Sequence, residues 1–323
     1  MKAAIIYQPG GPEQILLKER PVPEPGEGQV LVKVKAFGLN RSELMTRKGY
    51  SPGVVFPRIL GIECVGEIVS DPSGKWQPGQ QVAACMGGMG RDFDGSYAEY
   101  TVLPSCIIYP FSSKLSWEVL GAMPEMFQTV YGSLHLALHI RKGESILVRG
   151  GTSSIGLLAI QLARHAGLRV IATTRSEEKK QFLLEKGAEA VLIDDGNLKA
   201  QVDKLYPERF DKILELVGAS TLKDSLLCAK PAASVCMTGM LSEIWSIKDF
   251  APMDYIPATV KLTVFDTGQI KVDVDAFQSF ISMLENGDIE LSIGGVFKLG
   301  DIEIAHRLMD SNRANGKIVI TTE

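Results

Sequence analysis

Along the chain the spacing of apolar and polar residues changes character twice. Through about residue 119 the apolar positions come in short runs, each closed by proline, glycine or charge. Residues 30–37 (VLVKVKAF) alternate apolar and charged positions, the period of two shown by a half-buried strand. Residues 2–7, 62–69, 81–85 and 96–102 are further β-capable runs, and PVPEPGEG at 21–28 and QPGQ at 77–80 supply turns. One short helix is expected at 41–48, with Asn40 where an N-cap belongs.

From about residue 120, β-rich apolar runs alternate with amphipathic helical runs, the pattern of a parallel sheet covered by helices. The strands read at 145–149, 169–174, 190–193, 212–216, 234–238 and 260–265, and helices at 155–166, 177–186 and 222–229. Gly167 and Gly187 follow two of these helices as C-terminal caps. Beyond about 269 the alternation lapses into a helix (275–285), a β-rich piece (295–299), a helix (302–311) and a strand (317–321), which fit a return to the first domain. The expected fold class is α/β, with a doubly wound parallel sheet over 120–268 and a β-rich domain built from 1–119 and 269–323.

Composition narrows the function classes. With 45% apolar and 22% charged residues the chain is of the soluble globular kind. A net charge of -4 carries no basic footprint for nucleic acid. The apolar runs are strand-sized, short of the roughly 20 residues of a membrane span. The opening MKAAIIYQPGG reads as strand and turn rather than secretory signal, so a cytoplasmic location is expected. The five cysteines (Cys64, Cys85, Cys106, Cys228, Cys236) are odd in number and lack CxxC spacing, which fits reduced thiols.

The strongest chemical signal is ILVRGGTSSIGLLAIQLARHAGLRVIATTR at 146–175. A strand enters a glycine-rich turn, then a helix, then a second strand, the unit that a dinucleotide site requires. Gly150 and Gly151 allow a tight turn beside a pyrophosphate, and Thr152, Ser153, Ser154 and Ile155 open a helix whose free N–H groups and positive end attract that anion. Gly156 lets helix and strand approach closely. The spacing is GGTSSIG rather than G-x-G-x-x-G, and a glycine-rich turn by itself is compatible with an ordinary strand-to-helix loop. Sites for NAD place an acid at the end of the second strand to hold the ribose diol. Here that end reads Thr173-Thr174-Arg175-Ser176, with Lys179 a helical turn on. Thr174, Arg175 and Lys179 therefore suit the 2′-phosphate of NADPH, a solvated charged face being the alternative. Glu177 and Glu178 read as first-turn helix acids.

Together with AFGLNRSEL at 36–44, PRILGIECVGEIV at 57–69, GSYAEY at 95–100 and NGKIVI at 315–320, this unit resembles the medium-chain dehydrogenase/reductase superfamily over essentially the whole chain. Within the superfamily it is similar to the zinc-free quinone oxidoreductases. The resemblance implies a GroES-like domain, a Rossmann domain binding NADPH, and a homodimer or homotetramer formed through the last Rossmann strand, here 260–265. Zinc-bearing members carry a cysteine after the third N-terminal strand, a histidine in a GHE motif, and a cysteine or aspartate early in the second domain. The matching segments here are GLNRSE, Gly61-Ile62-Glu63 and PEMFQTVYGSL, so no metal ligands are expected. His135 and His139 are four apart but lack the HExxH context and read as a solvated helix face.

The resemblance also nominates individual residues. Asn40 is a candidate to bond the acceptor carbonyl, with a helix N-cap as its other role. Tyr50 is a candidate proton donor or, equally, a packed rim aromatic. Thr129, Tyr131 and Gly239 are expected to line the cofactor, and so are Asn315, Gly316 and Lys317 in the C-terminal return, although Lys317 is also readable as a surface charge. Glu63 is expected to be structural. The loop 86–94 reads as mobile, with Met89, Arg91 and Phe93 candidates for acceptor specificity. Without a Lewis acid, hydride delivery to a quinone or enone is easier than oxidation of a simple alcohol. Rival readings are an enoyl-thioester reductase and an NADPH-binding redox sensor with little turnover.

Overall fold

The computed structural model describes all 323 residues. In chain order the first elements are β1 (Lys2–Ile6), β2 (Ile15–Glu19), β3 (Gln29–Gly38), α1 (Arg41–Arg47), β4 (Arg58–Ile59), β5 (Glu63–Ser70), β6 (Gln81–Cys85), β7 (Tyr100–Pro104), β8 (Ile108–Pro110), α2 (Trp117–Gly121) and α3 (Pro124–Tyr131). Next come β9 (Ser145–Arg149), α4 (Ser154–His165), β10 (Arg169–Thr174), α5 (Lys180–Glu185), β11 (Ala190–Ile193), α6 (Leu198–Leu205), β12 (Phe210–Glu215), α7 (Leu222–Leu227), β13 (Ala229–Met237), α8 (Pro252–Tyr255) and β14 (Lys261–Val264). The chain ends with α9 (Val274–Asn286), β15 (Ile293–Lys298), α10 (Ile302–Asp310) and β16 (Lys317–Thr321).

Contacts divide the chain into two compact units, one of Met1–Phe127 with Gly268–Glu323 and the other of Gln128–Thr267. The first contains two sheets. One runs β2-β1-β4, and the other runs β15-β16-β3-β5-β6-β8 with β7 also on β3. β3 is long enough to pair β7 through Gln29–Lys33, β5 through Leu31–Ala36 and β16 through Ala36–Gly38. Its apolar positions are buried while Lys33 and Lys35 stay half-exposed, as the alternation requires. The core between these sheets gathers Phe37, Leu60, Tyr97, Ile302 and Ile320 among others.

In the second unit six parallel strands lie in the order β11-β10-β9-β12-β13-β14. Numbered within the unit this is 3-2-1-4-5-6, the doubly wound order, and its direction reverses at β9. The central strands are apolar on both faces because helices cover both sides. β14 is an edge strand bonded only to β13.

Some expectations need correction. The strand expected at 96–102 begins only at Tyr100. Before it, Tyr97 is fully buried and exchanges backbone bonds with Ala4 and Leu60, so this stretch joins the two sheets instead of extending one. The helix expected at 177–186 is a 3-10 turn at Glu177–Lys179 followed by α5. His135 and His139 do not share a helical face. A π-helical turn covers Gly132–Ala137, and His139 lies past its end at φ 49°. No helix is long and apolar enough to cross a membrane.

Candidate active site

The carboxyl end of β9 is where a doubly wound sheet places an anionic ligand. Gly150 there has φ 89°, a left-handed conformation that glycine adopts without strain. Its amide bonds the Thr173 hydroxyl at 3.1 Å, and the Gly151 amide bonds the Thr173 carbonyl at 3.1 Å, so β10 holds the turn open. Ser153 caps α4 by accepting from the Gly156 amide at 3.0 Å. The amides of Thr152, Ser154 and Ile155 donate to no protein acceptor and stand at the positive end of a twelve-residue helix. A Cβ at Gly156 would lie 2.5 Å from the Gly150 carbonyl oxygen, so only glycine permits this approach of helix to turn. The arrangement fits a pyrophosphate. At the end of β10, Thr174 is buried and its hydroxyl accepts from the Ser176 amide at 3.1 Å, Arg175 is exposed, and Lys179 is half-buried.

Other cofactor candidates of this unit sit nearby in the fold. Ser133 links the Thr129 carbonyl at 2.7 Å to the Thr238 hydroxyl at 2.8 Å, which places α3 beside the end of β13 and Gly239. Thr129 also meets the Thr267 hydroxyl at 2.8 Å, and the Tyr131 ring lies 4.8 Å from His135.

Sequence reasoning missed Arg149. It is fully buried at the last position of β9 and forks onto Asp194 at 2.7 and 2.8 Å. It also donates to Asp224 at 2.8 Å and to the Ser225 hydroxyl at 3.0 Å. Burial disfavours the charged form, but Asp194, Glu215 and Asp224 more than compensate and hold its pKa above the ordinary value. Burial conversely raises Glu215, whose carboxylate accepts from the Val217 and Gly218 amides at 2.7 and 2.9 Å. This network ties β9, β12 and the segment after β11 under the glycine turn. The available signal was a lone arginine ending an otherwise apolar strand.

The first unit holds a second buried charge cluster. The Lys317 ammonium lies 2.8 Å from Glu63, 2.5 Å from the Asn40 carbonyl oxygen and 3.5 Å from Glu125. Lys317 is 3% exposed and Glu63 0%, which rules out a surface charge at 317. The Asn40 amide nitrogen donates to Glu63 at 2.9 Å and reaches Glu43 at 3.3 Å. Asn40 occupies the N-cap position of α1, yet its side chain makes no cap bond because this network engages both ends of the amide. Burial, and then Glu63, push Glu43 up to about 8, with Lys317 opposing. Burial opposes the Lys317 ammonium, but Glu63 and Glu125 keep its pKa above the ordinary value. Glu63 also accepts from the Glu125 amide at 2.8 Å. Tyr50 is 64% exposed, and its hydroxyl has no protein partner. Asn315 and Gly316 form the turn into β16, with Asn315 at φ 52°.

A concavity of about 640 Å³ opens elsewhere in the second unit, among His139, Arg141, Lys212 and Lys261. It lies at the amino ends of the strands, opposite the end where such sheets bind nucleotides.

Comparison with known proteins agrees with this architecture. Residues 26–113 match the alcohol dehydrogenase GroES-like domain, and residues 154–286 match the zinc-binding dehydrogenase domain. A quinone oxidoreductase of Pongo abelii is 28% identical, covering 99% of this chain and 97% of its own. An acryloyl-coenzyme A reductase of Metallosphaera sedula is 24% identical over the full length of both. The crystal structure of Escherichia coli quinone oxidoreductase complexed with NADPH superposes with a TM-score of 0.89 over both full chains, at 21% identity.

Proposed function

We propose, for a chain that belongs to the medium-chain dehydrogenase/reductase superfamily and to its quinone oxidoreductase subgroup, an NADPH-dependent reductase that delivers hydride to a quinone or α,β-unsaturated carbonyl without zinc. Bound NADPH supplies the hydride, which an electron-poor carbon accepts. The amides of Thr152, Ser154 and Ile155 and the N-terminus of α4 bind the pyrophosphate. Arg175 and Lys179 hold the 2′-phosphate, in a strand end that offers no acid to a ribose diol. Thr129, Tyr131 and Gly239 line the cofactor, and Asn315 and Gly316 complete its binding from the C-terminal return.

The observation that carries the metal-free reading is the Lys317 ammonium against Asn40 and Glu63. Zinc needs three or four deprotonated N, S or O ligands. Around Asn40 the carboxylates are Glu63, already paired with the Lys317 ammonium, and Glu43, which burial holds in its protonated form, while Ile62 stands at the histidine position of the GHE motif; a site occupied by its own cation does not fit the ion. Of the two catalytic candidates, Tyr50 has the hydroxyl free to donate a proton or polarise a carbonyl. Asn40, with its amide committed to Lys317 and Glu63, acts by ordering this end of β3.

The test is NADPH oxidation against quinones, alkyl enones, enoyl thioesters and ketones, with metal content measured on the same sample. Turnover of quinones or enones by metal-free protein is the expected result, and activity that requires added zinc refutes it. Turnover confined to enoyl thioesters favours the second reading, which the Metallosphaera sedula relative supports. Tight NADPH binding without turnover across the panel points to a sensor. The substitution Arg175→Glu is expected to weaken NADPH by roughly ten- to a hundredfold, far more than NADH. An equal effect on both removes the phosphate assignment.

A further inference from the structure

Arg91 lies in the loop 86–94, which is tied down rather than mobile. The Met86 amide bonds the Ile62 carbonyl at 2.7 Å, Met89 bonds Met86 at 3.1 Å, and Gly90 bonds Phe93 at 2.9 Å. The amides of Arg91 and Asp92 both reach the Gly88 carbonyl, at 3.0 and 2.8 Å. Met89 is 1% exposed and belongs to the core, so it anchors the loop and is not free to line a pocket. A loop held this way aims its next side chain. The Arg91 guanidinium donates through Nη2 to the Ser42 hydroxyl at 2.6 Å, two residues beyond Asn40.

This arginine differs from its neighbours in the same unit. Arg47 faces Asp310 at 2.7 Å and Arg58 faces Asp94 at 3.1 Å. Arg91 faces a hydroxyl, no carboxylate comes within the 4.0 Å of an ion pair, and its buried Nε has no partner. The buried Nε is out of reach of a ligand, but a half-buried guanidinium with no countercharge carries a desolvation cost that an anion at its accessible edge would offset. The guanidinium fork matches planar, anionic oxygen pairs.

We infer that Arg91 recognises an anionic group on the acceptor, so that the preferred substrate is an α,β-unsaturated ketone or thioester bearing a carboxylate or phosphate, not a neutral quinone. The inference rests on the reductase reading above. It deepens that reading by naming the substrate class.

The test is calorimetric binding to protein saturated with NADP⁺, so that no turnover intervenes. Two matched pairs are compared: 4-oxopentanoate with its methyl ester, and propanoyl-coenzyme A with propanoyl-pantetheine. Wild-type protein prefers the anionic member of at least one pair. In Arg91→Gln that preference falls by about tenfold or more, and in Arg91→Lys, which keeps charge but loses the fork, it falls part of the way. An effect confined to the first pair assigns a carboxylate, and one confined to the second assigns the carrier phosphates. Both outcomes support the inference. It is overturned by a wild-type protein with no preference, by unchanged ratios in Arg91→Gln, or by an equal loss of NADP⁺ affinity, which would give Arg91 to the cofactor. Failure of the reductase reading shows separately, as absent turnover of every acceptor by wild-type protein, and leaves the binding ratios readable.

Discussion

Replacing Lys317 with Met removes the only ammonium that contacts Glu63, a carboxylate with 0% exposure. The methionine keeps most of the volume of the side chain, so the loss is electrostatic and not a cavity. Glu63 retains the Asn40 and Glu125 donors at 2.9 and 2.8 Å, but its countercharge is gone while the Glu125 carboxylate stays close. Breaking a buried ion pair from one side costs about 3–5 kcal/mol. Against a total stability of roughly 5–15 kcal/mol that is a large fraction. The first unit contains Trp76 and Trp117, two of the three tryptophans, so urea unfolding followed by fluorescence reads it directly. Lys317→Met should shift its midpoint strongly downward. Combining it with Glu63→Gln, which neutralises the stranded carboxylate, should restore more than half of the loss. A single variant that loses less than about 1 kcal/mol, the value of an exposed pair, would refute the reasoning. So would a double variant no more stable than the single one.

Further outcomes follow from the same geometry. Gly156→Val puts a branched side chain where even a Cβ meets the Gly150 carbonyl at 2.5 Å, and should weaken NADPH by about tenfold or more, measured by fluorescence titration. Arg149→Met strands Asp194 and Asp224 beneath the glycine turn and should destabilise the second unit by about 3–5 kcal/mol in thermal unfolding. Stability should also depend on pH through two buried groups. Glu43 holds its proton up to about 8 against an ordinary 4.5, so its contribution is complete below 4.5 and disappears as pH rises through 8. His306, held down to about 3 against 6.5 by burial and then Arg47, contributes fully above 6.5 and is lost as pH falls through 3. The two slopes cancel between 4.5 and 6.5, leaving a plateau that falls away on either side by about 1.4 kcal/mol per pH unit. Glu43→Gln should flatten the alkaline fall, and an unchanged limb in denaturant midpoints against pH would exclude Glu43 as its source.

Features encoded within about thirty consecutive residues were legible without coordinates. β9, β10, β11 and β16 begin and end where their apolar runs do, and GGTSSIG makes the turn and capped helix that its glycines and Ser153 specify. Local periodicity and turn chemistry act between near neighbours, so they can be read without coordinates. The buried charge clusters depend on contacts between residues far apart in the chain. Lys317 meets Asn40 across 277 positions, and Arg149 meets Asp194 and Asp224 across 45 and 75. Nothing local distinguishes a lysine that will be buried from one that will be solvated. The desolvation that raises Glu43, commits the Asn40 amide and turns Lys317 from surface charge to internal cation exists only once distant strands have closed over those groups.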